Sequence, residues 1–315
     1  MTVRLSRWHN RRVTRALKVG LQLPEVERTV RWSEQREMAE LAERIGLDSI
    51  WVGDHLLYRG DGKATRGPWE AWSLLAALAA VTERVEIGPL VASTSFHAPA
   101  MLAKKAAAVD EISDGRLILG LGAGWNRPDY DAFGFPYDHR VSRFEEAFTI
   151  IRELLGTGVS DFTGTYYAVD RAELLPRGPR SEGPPLMVGS VGERMLGITL
   201  PHVAAWNAWG PWFGNNVEGY REMHAMIDAR CRAVGRHPRE VERTVALIVA
   251  MPGALGRGSS VSEGEFEPIA GEAATLAPAL RAFAEAGVSH VQLVLDPITL
   301  ESIDALRPTL AALDG

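Results

Sequence analysis

The chain predicts an α/β fold, a (β/α)8 TIM barrel with short insertions, on three observations. Short apolar, β-branched runs alternate with stretches of helical spacing. The alternation occurs eight times, and no long linker breaks it within 315 residues. Alternating β and α segments place a parallel sheet inside a layer of helices. Eight such units in one chain match a closed barrel better than an open sheet.

The first strand is Lys18 to Gln22, followed by a helix through Trp32, Met38, Leu41 and Ile45 that Gly46 ends as a C-cap. Ser49 to Val52 then leads to a helix from about Trp69 to Val81, and Val85 to Val91 to a helix through Met101, Lys105 and Ile112. Arg116 to Gly120 leads to the helix holding Phe144, Phe148 and Ile151. The later strands are Leu186 to Val188, Val203 to Trp206, Val245 to Ala250 and His290 to Leu295. Two stretches interrupt the rhythm. Ser160 to Val169 reads as a small hairpin inserted before the fifth strand, and Met251 to Gly271, rich in Gly, Ser and Pro, as a long loop near the site.

Hydrophobic residues make up 46% and charged residues 23%, ordinary values for a globular protein with a large core. A net charge of −6 advertises no basic surface for nucleic acid. Arg4, Arg7, Arg11, Arg12 and Arg15 make residues 1–15 a basic N-terminal tail without the apolar run of a secretory signal. Residues 16–315 read as one barrel domain. The single cysteine, Cys231, gives no disulfide framework and no cysteine-based metal site. No apolar run approaches the ~18 residues of a membrane span. A cytoplasmic protein without nucleic-acid or membrane partners is expected.

In this fold the reactive groups lie on the loops after the strands. Those positions hold Gly53-Asp54-His55, then Ala92 to His97, Gly122 to Asn126, Gly189 to Met195 and Trp206 to Trp209. The rim is therefore aromatic and glycine-lined, with a few neutral donors and no clustered carboxylates or histidines at metal spacing. No metal site is expected. That composition suits a large, flat, anionic organic cofactor. The Gly189, Ser190, Val191, Gly192 loop opens a helix, where backbone N–H groups approach an anion; a tight β–α turn is the plain alternative. Gly120-x-Gly122-x-Gly124 lacks the third glycine spacing of a dinucleotide fingerprint. Gly122, Gly124 and Asn126 read instead as backbone approaching a ring system. His55 is the histidine at a strand end with an acid beside it, so it is the candidate proton handler, or else a loop cap. His97, His139 and His202 read as structural. Trp69, Trp72, Trp206 and Trp209 divide between pocket wall and core.

Several segments resemble the luciferase-like oxidoreductase superfamily: Ala39 to Glu43 through Trp51 to His55, Leu74 to Arg84, Leu102 to Arg116, Gly120 to Phe135, and Leu280 to Gly287. The likeness runs from about Lys18 to the C terminus. It implies a barrel using FMN or the deazaflavin F420, and the Asp-His pair after strand two is similar to the F420-dependent branch. Carried over to these positions, His55 would act as acid/base beside the deazaflavin ring, with Asp54 at the cofactor. The resemblance also implies a non-prolyl cis peptide near Leu90–Val91, bulging against the ring. Ser93 and the Gly189 to Gly192 loop would hold the cofactor's side chain and phosphate. From their rim positions, Trp125, Trp206 and Trp209 are expected to line the substrate pocket. The chain departs from bacterial luciferases in having an apolar residue, Leu121, near their reactive cysteine. It departs from F420-dependent sugar-phosphate dehydrogenases in having Trp125 where they carry a glutamate, which argues against a sugar phosphate and removes the second member of an acid/base pair. The reading is an F420-dependent oxidoreductase passing a hydride between deazaflavin C5 and a small apolar or planar organic substrate. The alternative is an FMN-dependent monooxygenase supplied with reduced flavin by a separate reductase. A homodimer is expected.

Overall fold

Nine parallel-paired strands wrap into one sheet in the computed structural model, which describes residues 15–60, 62–255 and 266–315. In chain order the elements begin with β1 (Lys18–Gln22), α1 (Trp32–Ile45), β2 (Ser49–Val52), α2 (Ala71–Val81), β3 (Glu86–Pro89), β4 (Ala92–Ser93), α3 (Pro99–Ile112) and β5 (Leu119–Gly122). There follow α4 (Arg127–Phe133), α5 (Arg140–Thr157), the hairpin β6 (Val159–Thr163) and β7 (Ala168–Glu173), β8 (Leu186–Val188), α6 (Glu193–Thr199), β9 (Ala205–Trp209) and α7 (Val217–Ala233). The last part holds β10 (Glu242–Ala250), the short β11 (Ile269–Ala270), α8 (Ala273–Glu285), β12 (His290–Asp296), α9 (Leu300–Asp304) and α10 (Arg307–Asp314).

The strand order is β3-β2-β1-β12-β10-β9-β8-β5-β4, with β11 added on β10. Its two end strands are consecutive in the chain, parted by Leu90 and Val91. Ile87 donates to Arg116 O at 3.0 Å and Ile118 donates to Ile87 O at 2.8 Å, so β3 also bonds the segment entering β5. β3 and β4 thus form one interrupted staircase, and the sheet closes as an eight-stave barrel.

Period-two alternation builds the two layers. Val19 and Leu21, Val245, Leu247 and Val249, and Val291, Leu293 and Leu295 face the helices and are buried with them. The opposite residues fill the barrel, where Trp51, Met187 and Ala205 pack together against Leu90, Val91 and Ile118. Polar side chains in this interior bond one another. Trp51 Nε1 donates to Ser49 Oγ, which lies 2.6 Å from His290 Nε2. Asn207 Nδ2 donates to Thr244 Oγ1 and to Gln292 Oε1, at 2.8 and 2.7 Å. The helices follow their sequence signals. Met38, Ala39, Leu41 and Ala42 form the buried stripe of α1, and Gly46 closes it at φ 96°, donating to Ala42 O and Glu43 O. Glu70 caps α2 by accepting from Trp72 N and Ser73 N.

Three expectations shift. The fourth stave runs Leu119–Gly122 rather than 116–120, and the sixth Ala205–Trp209 rather than 203–206. Glycine and asparagine read as loop residues locally, but β9 pairs β10 from Ala205↔Glu242 to Trp209↔Ala246, and the ladder overrides propensity. The third strand breaks in two at Leu90. The antiparallel hairpin before the fifth barrel strand is present as β6 and β7. Arg4, Arg7, Arg11 and Arg12 of the basic tail, and the middle of the 251–271 loop, lie outside the described residues. Among the described residues no helix is long and apolar enough to cross a membrane.

Candidate active site

The C-terminal ends of the staves place His55 at the mouth of the barrel, three residues beyond β2. The acid that bonds it is not its chain neighbour. Asp129, fully buried on α4, meets His55 Nδ1 through Oδ2 at 2.8 Å and accepts from Leu56 N and Leu57 N through Oδ1 at 3.1 and 2.8 Å. Asp54 turns elsewhere, accepting from Ser93 N at 2.8 Å and lying 3.1 Å from His97 Nε2. Asp54 and Ser93 are therefore buried parts of the scaffold under the mouth, and His97 is the partner that holds Asp54.

A third carboxylate faces the imidazole. Glu25, on the segment after β1, is buried against Gly53, with Gln22 Nε2 donating to it at 3.4 Å. Burial works against a charge on His55. The carboxylates of Glu25, Asp129 and Asp54, with the Asp129 hydrogen bond, outweigh it and raise the histidine's pKa. The ring keeps 18% of its side-chain surface open. Its walls are Tyr58 and Trp125, with ring centroids at 4.8 and 5.4 Å. Closure of the barrel thus gathers three acids from three separate segments around one histidine, although among the described residues no such group is arranged to hold a metal ion. No local motif marks Glu25 or Asp129 as neighbours of His55.

Beside this group lies a floor without side chains. The Leu90–Val91 peptide is cis, at the position the family likeness indicated. A Cβ on Gly120 or Gly122 would press on Val91, and one on Gly189 would touch nothing but Val91. Val91 therefore sits on a glycine bed and is itself half-buried, while Ser190, Val191 and Gly192 run outward from that bed into solvent. Gly124, at φ 74°, passes so close to Tyr130 Oη and Ser93 Oγ that any Cβ would overlap both. Asn126 is buried and donates to Leu57 O at 2.9 Å, tying the turn after β5 to the loop of His55.

The tryptophans separate. Trp125 is 52% exposed at the mouth, and Trp209 is half-buried on the last, inward-facing position of β9. Trp206 is a correction: its side chain faces the helices, fully buried, so it lines no pocket. Its Nε1 donates to Ser190 O at 2.7 Å and so braces the outward loop from behind. The strand runs on to Trp209, so Trp206 lies within β9 rather than at its end, and alternation turns Trp206 and Ala208 to the helices while Asn207 and Trp209 face inward. Trp72 is likewise core.

A parallel barrel with a carboxylate-bound histidine and a glycine floor at the C-terminal mouth defines an enzyme-type site of the barrel oxidoreductases. The sequence profile of the luciferase-like monooxygenase family matches residues 17–252, and the chain belongs to that family. Among curated proteins, the pyrimidine monooxygenase RutA of Variovorax paradoxus (strain S110) is 36% identical over 223 residues, covering 68% of this chain and 58% of that protein. The F420-dependent glucose-6-phosphate dehydrogenase of Amycolatopsis mediterranei (strain U-32) is 37% identical over 147 residues, 45% of this chain and 43% of its own. The chain spans about half the length of the curated relatives it matches. Among solved structures, an F420-dependent secondary alcohol dehydrogenase in complex with an F420-acetone adduct superposes with a TM-score of 0.78 at 19% identity, covering 94% of this chain and 99% of that one. The coenzyme F420-dependent tetrahydromethanopterin reductase of Methanopyrus kandleri gives a TM-score of 0.73 at 17% identity, covering 93% and 97%. At those identities the two structures establish the shared fold.

Proposed function

We propose that the protein is an F420-dependent oxidoreductase acting on a small, apolar or planar organic substrate, with His55 as its acid/base. The observation that carries this reading is the half-buried, carboxylate-bonded histidine at the barrel mouth beside Val91 on its glycine bed. A flat ring system would rest on that floor: Val91 offers an apolar platform, and Gly120, Gly122 and Gly189 make room for its side chain. The backbone of Gly189 to Gly192 would hold the anionic tail, with Ser190 and Val191 along its course. Bound there, the deazaflavin supplies a hydride acceptor or donor at C5. His55 would give or take the accompanying proton, within reach of the nearby carboxylates. Trp125 and Trp209 would bound the substrate space and exclude water, and neither carries a charge to recruit an ionic substrate.

The relationship to RutA favours a second reading, an FMN-dependent monooxygenase using reduced flavin and oxygen. The same floor accepts an isoalloxazine, so the two readings differ in the ligand rather than the site. Titration of the purified protein with F420 and with FMN separates them. Saturable binding of F420, and substrate-dependent reoxidation of reduced F420 that His55→Gln abolishes, is the expected result. Tight FMN binding without F420 binding would replace the first reading with the second.

A further inference from the structure

The hydrogen bonds around His55 lead one step further, and they depend on the acid/base reading only for their catalytic consequence. Asp129 is locked by two backbone amides, Leu56 N and Leu57 N, that belong to the same loop as His55. Burial opposes a charge on Asp129, but the His55 hydrogen bond, the Leu57 amide and Asn126 overcome it and hold the carboxyl below its usual range. An ionised carboxylate only accepts, so the hydrogen between Oδ2 and Nδ1 belongs to the histidine. We propose that Asp129 is the positioning residue of this site: its carboxylate fixes the His55 ring with hydrogen on Nδ1 and leaves Nε2 as the nitrogen that exchanges a proton with substrate.

The geometry distinguishes this role from a plain loop staple. Binding the Leu56 and Leu57 amides needs one oxygen, and Asp129 commits Oδ1 to both. Oδ2 is turned on the ring. Because both oxygens serve one three-residue stretch, the imidazole cannot rotate about its side-chain axis without breaking the Oδ2 bond. The other groups facing the ring are Glu25 from the segment after β1, Asp54 beside it in the chain, and the rings of Tyr58 and Trp125. None of the hydrogen bonds of Glu25 or Asp54 described above reaches Nδ1. Asparagine at 129 keeps an amide oxygen for Leu56 and Leu57 but points N–H at Nδ1. It should therefore reverse the tautomer while sparing the loop.

The test is the nitrogen spectrum of 15N-histidine-labelled full-length protein without cofactor, the His55 signals being identified by their loss in His55→Gln. Expected for the native chain is a neutral form with hydrogen on Nδ1 and a titration midpoint above that of free imidazole. Expected for Asp129→Asn is hydrogen on Nε2 and a lower midpoint. With the bound cofactor, kcat of that variant should fall at least about tenfold with KM little changed, and the pH limb assigned to His55 should move down. Hydrogen on Nε2 in the native chain overturns the proposal. So does an Asp129→Asn spectrum identical to the native one, or turnover equal to the native enzyme's at every pH. If the variant fails to fold, the native tautomer decides alone. If neither F420 nor FMN supports turnover, the functional reading fails while the spectrum still decides the role of Asp129.

Discussion

Acidification should destabilise this protein through one buried histidine. His290 lies inside the barrel, 2.6 Å from Ser49 Oγ, and burial, with a smaller push from Lys18, drives its pKa down from 6.5 to about 3. The folded chain therefore keeps this ring neutral where the unfolded chain protonates it. Proton uptake by the unfolded state favours unfolding, so the contribution is intact above pH 6.5 and is lost as pH falls from there toward 3. At pH 5 the deficit is about 1.5 pH units at 1.36 kcal/mol each, or about 2 kcal/mol relative to neutral pH. His55 works in the opposite sense. Its raised pKa adds stability below the unfolded value and loses it as pH rises, so the native profile alone mixes the two. His290→Gln removes one titration and leaves the other. Urea unfolding of both chains at pH 5, 6 and 7, followed by tryptophan fluorescence, gives the difference directly. Native protein should lose about 2 kcal/mol more than the variant between pH 7 and 5. Parallel profiles would mean that the ring is protonated, or solvated, inside the barrel.

Three further outcomes follow from the geometry. Gly124→Ala forces a Cβ into Tyr130 Oη and Ser93 Oγ at φ 74°; the backbone alone costs about 1–2 kcal/mol, so calorimetry should show a lowered Tm and cofactor titration a weakened site. Trp206→Phe keeps most of the buried ring but loses the bond to Ser190 O. It should weaken cofactor binding while leaving KM for the organic substrate unchanged, and a changed KM would restore Trp206 to the pocket. Asn207→Leu leaves Gln292 Oε1 without its 2.7 Å donor in the barrel interior, and denaturant unfolding should register a loss of about 1–3 kcal/mol.

The barrel was legible because its signals are local and repeated: β-branched runs, glycine C-caps and buried helical stripes each declare themselves within a few residues. Leu119–Gly122 and Ala205–Trp209 were displaced because their glycines, alanines and asparagine carry weak strand preference, and neighbouring ladders decide their ends. His55 could be found because it stands directly after a strand. Asp129 and Glu25 could not. They lie 74 residues after and 30 before it, on segments whose local pattern says only helix and turn, and nothing short of closing the barrel brings them together. Asp54 shows the converse. Adjacency in the chain suggested a partner for His55, whereas successive residues on a strand end point apart, and Asp54 meets Ser93 and His97 instead.

The seam of the barrel has a consequence for how ligand and fold support each other. The sheet's two ends meet across Leu90 and Val91, between residues 87–93 on one side and 116–122 on the other. If the proposed cofactor's ring rests on Val91 and the glycines of β5, it would touch both edges at once and act as a clasp on the cylinder. Its binding free energy would then add to the stability of the closed barrel, about 2.7 kcal/mol at a hundredfold excess over Kd. Opening of the seam would be coupled to release of the ligand. The cell's supply of cofactor would then set how often this barrel springs apart.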